Sequence, residues 1–173
     1  MKDILLYLFG FVLTLVVQIF FFDKMVLPGG FIICYYISFL LKLPFNTNRL
    51  LLLVIAFIMG ICLDAMNDTF GLHASSSVFL AWLRTYIYRW SEPVIGYGEN
   101  QRPNLTEMGW NWTLKTYTFA LFGFYLWFYA LSFVRIIGPW FTLQKILLST
   151  VSTLLVILLV QVLYSRKMNK NEL

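Results

Sequence analysis

The sequence predicts an all-α fold: one polytopic membrane domain over residues 1–173, built as a bundle of six transmembrane helices. Three observations lead there. The chain is 60% hydrophobic and only 12% charged, with a mean hydropathy of +0.77. A soluble domain carries about 25% charged and 45–50% apolar residues, and half the usual charge cannot cover a water-exposed surface. The apolar runs have lengths near the ~20 residues that a spanning helix needs. The basic residues, finally, segregate by loop as a membrane orientation requires.

Taken in order, Ile4 to Phe22 makes a first helix (4–22), broken only by Thr14 and Gln18. It is longer than a signal-peptide core and no small-residue cleavage site follows it, so it reads as a retained span. "DKMVLPGG" is a turn, and Pro28 is placed to open a second helix over 27–43, where its missing N–H costs nothing. "PFNTN" turns the chain into a third helix, 47–66, with Asp64 in its last turn. A fourth runs over 70–88, with Asp68 or Thr69 as its N-cap. The polar stretch 89–112 reads as a loop, and Trp110 and Trp112 as interface anchors for a fifth helix from Thr113 to Val134. Gly138 and Pro139 break the chain before a sixth helix, 141–164, and a solvated tail.

Six helices put both termini on one side. With the N-terminus cytoplasmic, the inside collects Lys2, Lys42, Arg49, Arg84, Arg89, Arg102, Lys115, Arg166, Lys167 and Lys170, against Lys24, Arg135 and Lys145 outside. Ten against three is strongly positive-inside. The net charge of +5 therefore speaks for membrane orientation and not for nucleic acid, since no basic cluster has interleaved aromatics. Cys34 and Cys62 lie inside apolar runs and read as small buried hydrophobes. With one histidine in the chain, no ordinary zinc site can be assembled. No metal and no cofactor is expected.

One polar island interrupts the apolar pattern: "MGICLDAMNDTFGLHASSSVFLAW", Met59 to Trp82. It holds Asp64, Asp68 and His73, and it forms the tight turn between helices three and four. Ala56, Gly60 and Asp64 recur every four residues on one face; His73, Ser77 and Ala81 do so on the next helix. Small residues at that spacing let backbones approach closely. Gly71 suits a backbone angle that other residues resist. A catalytic reading would use Asp64 to orient His73, with a nucleophile from Ser75, Ser76 or Ser77, but none of these serines sits in a nucleophile motif. An ion path would start from the same carboxylate, yet the other helices offer none to continue it. The weight falls on structure and on partner binding, and no residue is assigned a catalytic role.

At these residues the chain resembles the MreD family of bacterial rod-shape-determining membrane proteins. The family pattern is matched by Gly60, Asp64, Gly71, Leu72, His73 and Ala74. The layout of six helices agrees over the whole chain; the motif itself covers about 15 residues. The 89–112 stretch is longer and more polar than the family pattern, and the chain is 19% aromatic. The resemblance implies a non-enzymatic inner-membrane subunit of the cell-elongation machinery. It implies MreC as a direct partner, with MreB, RodA and a class B penicillin-binding protein in the same complex. It also implies a fold like the substrate-binding subunits of energy-coupling-factor vitamin transporters. That kinship supplies the rival reading, a vitamin-binding subunit with a pocket lined by Asp64, Asp68, His73 and Ser76.

Overall fold

In a computed structural model of the chain, the described residues are 2–25, 28–94, 96–98, 101–132 and 138–170. Among them the fold is all-helical. We label the α-helices α1 (Lys2–Val17), α2 (Ile37–Lys42), α3 (Arg49–Asn67), α4 (Leu72–Trp90), α5 (Leu105–Leu131) and α6 (Pro139–Lys170). A π-helical turn, Gln18–Phe22, extends α1. Three helices are long and apolar enough to cross a membrane: those containing Leu5–Phe22, Arg49–Asn67 and Trp140–Ser165. The α3–α4 hairpin packs on α5, and α5 on α6.

The outward faces of these helices are apolar, as lipid requires. Leu5, Leu6 and Phe9 of α1, Leu50 and Phe57 of α3, and Leu155 and Leu159 of α6 are exposed. The core is built from Tyr36, Ile37, Leu40, Met59, Leu63, Leu80, Tyr117, Leu121, Phe124 and Tyr125. The aromatic run of α5 is thus divided. Tyr117, Phe124 and Tyr125 fill the core, whereas Phe119 and Trp127 are exposed.

The second helix departs most from expectation. Pro28 does not open the expected 27–43 helix; among the described residues of that stretch only Ile37–Lys42 is α-helical. Gly29 and Gly30 take positive φ (86° and 67°), which breaks the run. The chain then runs without regular structure to Tyr36. Non-helical backbone inside an apolar bundle needs other hydrogen-bond partners, and four side chains provide them. Gln18 donates to the Ile33 carbonyl (3.0 Å) and accepts from Tyr36 N–H (3.3 Å). Cys34 N–H donates to Tyr125 Oη (2.9 Å) and Thr153 Oγ1 (3.3 Å). Ile32 N–H donates to Ser149 Oγ (3.2 Å), and Tyr125 O–H donates to the Ile32 carbonyl (3.2 Å). Tertiary partners here outweigh the helical tendency of the apolar run.

The 89–112 loop is shorter than expected. α4 continues to Trp90 and α5 begins at Leu105, where Asn104 caps the Glu107 N–H (2.9 Å). A break at Gly109 (φ 78°) separates the first turn of α5 from the rest. Trp112 is not a free interface anchor. Its indole N–H donates to the Ser91 carbonyl (3.0 Å), and its ring joins Phe45, Tyr88 and Tyr97. Burial in that cluster pushes the Tyr97 phenol pKa above its ordinary value. Trp110 is exposed. α6 extends beyond 141–164 at both ends. The expected end of the fifth helix at Val134, and Arg135 beyond it, lie outside the described residues.

Candidate functional site

The polar island folds as the closed end of the α3–α4 hairpin, and Asp64 is its centre. A helix begins with backbone N–H groups that have no intrahelical acceptor. The residue at the N-cap of α4 is Gly71 (φ 88°), which has no side chain to accept from them. Asp64, in the last turn of α3, does so instead. His73 N–H donates to Oδ1 (2.9 Å) and Ala74 N–H to Oδ2 (2.8 Å). These are the second and third residues of α4, the positions an N-cap side chain normally serves. Thr69 O–H adds a third donor to Oδ1 (2.5 Å). The carboxylate also sits at the positive end of the α4 dipole.

The expected N-caps are thereby corrected. Asp68 is not the N-cap of α4 but the C-cap of α3, in a left-handed conformation (φ 52°), and it is exposed. Thr69 serves Asp64 and not α4 directly. The turn needs three positive φ angles in four residues, at Asp68, Phe70 (47°) and Gly71. Such angles are strained for residues with a Cβ, and the Asp64 bonds hold the chain in them.

Gly60 lies one turn before Asp64 and is buried. A Cβ on it would overlap Ala74 Cα, and would stand 2.5 Å from Ala74 N and 2.7 Å from the His73 carbonyl oxygen. Here the backbones of α3 and α4 touch directly, as the small-residue spacing predicts. Ala56, Ser77 and Ala81 are buried on the same hairpin, and Leu72 is half-buried at the start of α4.

Asp64 and His73 do meet, but through the His73 backbone. The imidazole points into the bundle, where Nδ1 lies 3.3 Å from Tyr36 Oη and the ring packs against Phe128 (centroids 5.1 Å apart). Tyr36 Oη is also 3.0 Å from Ser77 Oγ. Ser76 Oγ is buried without a hydrogen-bond partner among the described residues. The Asp64 oxygens are committed to three protein donors, so the carboxylate does not orient the imidazole. Among the described residues, no three His, Cys, Asp or Glu side chains converge as metal ligands.

Sequence reasoning missed several polar residues that organise this end of the bundle. Asp23 accepts from Gln18 Nε2 (2.6 Å) and from Asn67 Nδ2 (2.8 Å), and so ties the end of the π-helical turn to the end of α3. Gln18 carries the connection inward to Ile33 and Tyr36. A glutamine inside a long apolar run was a usable signal, because such a group needs partners within the bundle. Tyr36 and Tyr125 carried none, being two among 10 tyrosines in an aromatic chain.

At the opposite end, Arg84 is 97% buried, being 3% exposed. Its guanidinium donates to the carbonyl oxygens of Leu43 and Pro44 and lies over the Tyr88 ring (4.6 Å). Tyr88 O–H donates to the Leu41 carbonyl (2.7 Å). Together they cap the C-terminus of α2, where a cation and its donors meet otherwise unsatisfied carbonyls.

Comparison with known protein families, with curated proteins and with solved structures found no match.

Proposed function

We propose that this chain is a multi-pass protein of the bacterial inner membrane that works by binding other membrane proteins. It is then a non-enzymatic subunit of the cell-elongation machinery, of the MreD kind. MreC is its direct partner, and MreB, RodA and a class B penicillin-binding protein belong to the same assembly. Both termini are cytoplasmic and the Asp64–His73 turn faces outward, in keeping with the ten-to-three basic asymmetry. Of the six crossings, the second is discontinuous, made by the irregular stretch up to Tyr36 followed by the short α2.

The observation that carries this reading is the use made of the motif residues. Gly60, Asp64, Gly71, Leu72, His73 and Ala74 all belong to one hairpin end, where Asp64 holds the start of α4 and Gly60 admits its backbone. Such an arrangement fixes the shape of a helical surface. In lipid, helices associate through packing and hydrogen bonds and not through a hydrophobic drive, so a rigid, well-shaped surface is what a membrane scaffold needs.

Depletion of the protein in its rod-shaped host tests the proposal. The expected result is rounded, osmotically fragile cells, together with recovery of MreC when the tagged protein is purified from native membranes. Normal cell shape combined with lost uptake of a vitamin would overturn it in favour of the transporter reading.

A further inference from the structure

A groove of about 660 Å³ opens between α1, α2 and α3. Tyr7, Phe11, Phe39, Leu51, Ile55 and Ile58 form its walls, and the turn containing Asn46, Thr47 and Asn48 closes one end. We propose that this groove binds one anionic glycerophospholipid. An acyl chain fills the apolar trough, and Arg49 and Arg102 hold the headgroup phosphate at the polar end.

Depth, width and charge each support this occupant. From Asn48 to Ile58 along α3 the rise is about 15 Å at 1.5 Å per residue. That is half of the roughly 30 Å hydrocarbon core, the depth of a single leaflet. A partner helix about 10 Å across would fill 660 Å³ with only about 8 Å of its length, or one and a half turns. It would leave the rest of a spanning helix unaccommodated, whereas an acyl chain is thin enough to lie along the trough. The cations stand at the polar end. Arg49 is exposed in the first turn of α3, next to Asn48. The Arg102 guanidinium is 5.8 Å from the centre of the Tyr7 ring, which forms one wall. The Glu107 carboxylate accepts from the Arg102 backbone N–H (2.6 Å), and among the described residues neither guanidinium is engaged by a carboxylate. Guanidinium groups bind phosphate oxygens bidentately, and the first turn of α3 contributes the positive end of its dipole. A phosphodiester on a net-negative lipid meets two arginines and a helix start; a zwitterionic lipid brings its own cation to the same place and gains less.

Lipid binding of this kind requires only that the bundle lies in a membrane, and it is separate from the elongation role. Native mass spectrometry of the full chain in detergent, with equal amounts of phosphatidylglycerol and phosphatidylcholine, tests it. One retained lipid per chain is expected, with about tenfold preference for phosphatidylglycerol, equal to about 1.4 kcal/mol. The Arg49→Gln/Arg102→Gln protein should retain lipid without preference. Leu51→Trp adds bulk at a half-exposed wall position outside the core (53% exposed), and should lose both lipids while keeping the parent's thermal unfolding temperature. Equal retention of the two lipids by the parent chain would overturn the proposal. So would an unchanged preference in the double arginine variant, or undiminished lipid in folded Leu51→Trp. A second copy of the chain recovered in place of lipid would assign the groove to self-association and would likewise refute it.

Discussion

Gly60→Ala is the smallest change that strikes the hairpin at its centre. The added methyl would overlap Ala74 Cα and stand 2.5 Å from Ala74 N, whereas ordinary contact begins near 3.4 Å. Both obstacles are backbone, so no side chain can rotate away; α4 must move from α3 by about 1 Å. The Asp64 bonds to His73 N–H and Ala74 N–H lie one turn further on, at 2.9 and 2.8 Å. Stretched by that amount they pass the useful range of a hydrogen bond. Each is charge-assisted and is worth about 1.5–3 kcal/mol. Against this, alanine exceeds glycine in helix propensity by about 1 kcal/mol. A net loss of about 2–5 kcal/mol follows. Gly123→Ala is the control: its methyl would meet the Cδ2 of Leu83, the far end of a flexible side chain. A rotamer change relieves that clash, and the propensity gain leaves the stability within about 1 kcal/mol of the parent. Unfolding in detergent, followed by tryptophan fluorescence, compares the three proteins. If Gly60→Ala proves as stable as Gly123→Ala, the direct backbone packing of α3 on α4 is wrong.

Asp64→Asn should cost about 1–3 kcal/mol, since one amide NH₂ then faces a backbone N–H; Asp64→Leu, which leaves both N–H groups and Thr69 without an acceptor, should cost more. An Asn variant as stable as the parent in the same unfolding assay would contradict the two-oxygen geometry. Arg84→Met should destabilise the protein by about 1–3 kcal/mol by uncapping the Leu43 and Pro44 carbonyls, and limited proteolysis should cut first near residues 43–48; protection of that turn in the variant would argue against the cap. Tyr125→Phe and Thr153→Val each leave Cys34 N–H one acceptor, whereas the double variant leaves it neither. A double-mutant cycle should therefore show a coupling of roughly 1 kcal/mol, and additivity within about 0.5 kcal/mol would exclude the shared role.

The parts of the fold that were legible in the sequence are those dictated by lipid. Long apolar runs gave the spans within α1, α3 and α6, and the four-residue spacing of Ala56, Gly60 and Asp64 gave the close hairpin. The two-oxygen role of Asp64 was not legible, because sequence places the carboxylate near a helix start without showing that both oxygens accept from backbone N–H groups. The broken second helix was not legible. "FIICYYISFL" is apolar and aromatic but for Ser38, and such a run has no periodicity to separate helix from extended chain. Its conformation is set by Gln18, Tyr125, Ser149 and Thr153, which are remote in sequence. Local cues existed only in Gly29 and Gly30, just after Pro28. Arg84 was legible as an orientation signal; its burial under the α2 terminus depends on the fold.

Several of the buried polar side chains share a use that explains why so apolar a chain keeps them. Gln18, Tyr125, Ser149 and Thr153 end on the backbone of the stretch before α2. Arg84 and Tyr88 end on the carbonyls after it. Asp64 ends on the first turn of α4. Gln161 and Tyr117 end on Leu105 N–H and the Pro103 carbonyl, at the start of α5. Each clamp stands where a helix begins, ends or is interrupted, which is where main-chain groups lose their intrahelical partners. In hydrocarbon an unsatisfied backbone group costs several kcal/mol, so each break would favour a straightened helix or a different packing if its clamp were absent. The polar residues thus select this irregular bundle over a set of plain spanning rods. Substitutions on the lipid-facing stripe, which carries no such duty, should accordingly be tolerated far better than those at the clamps.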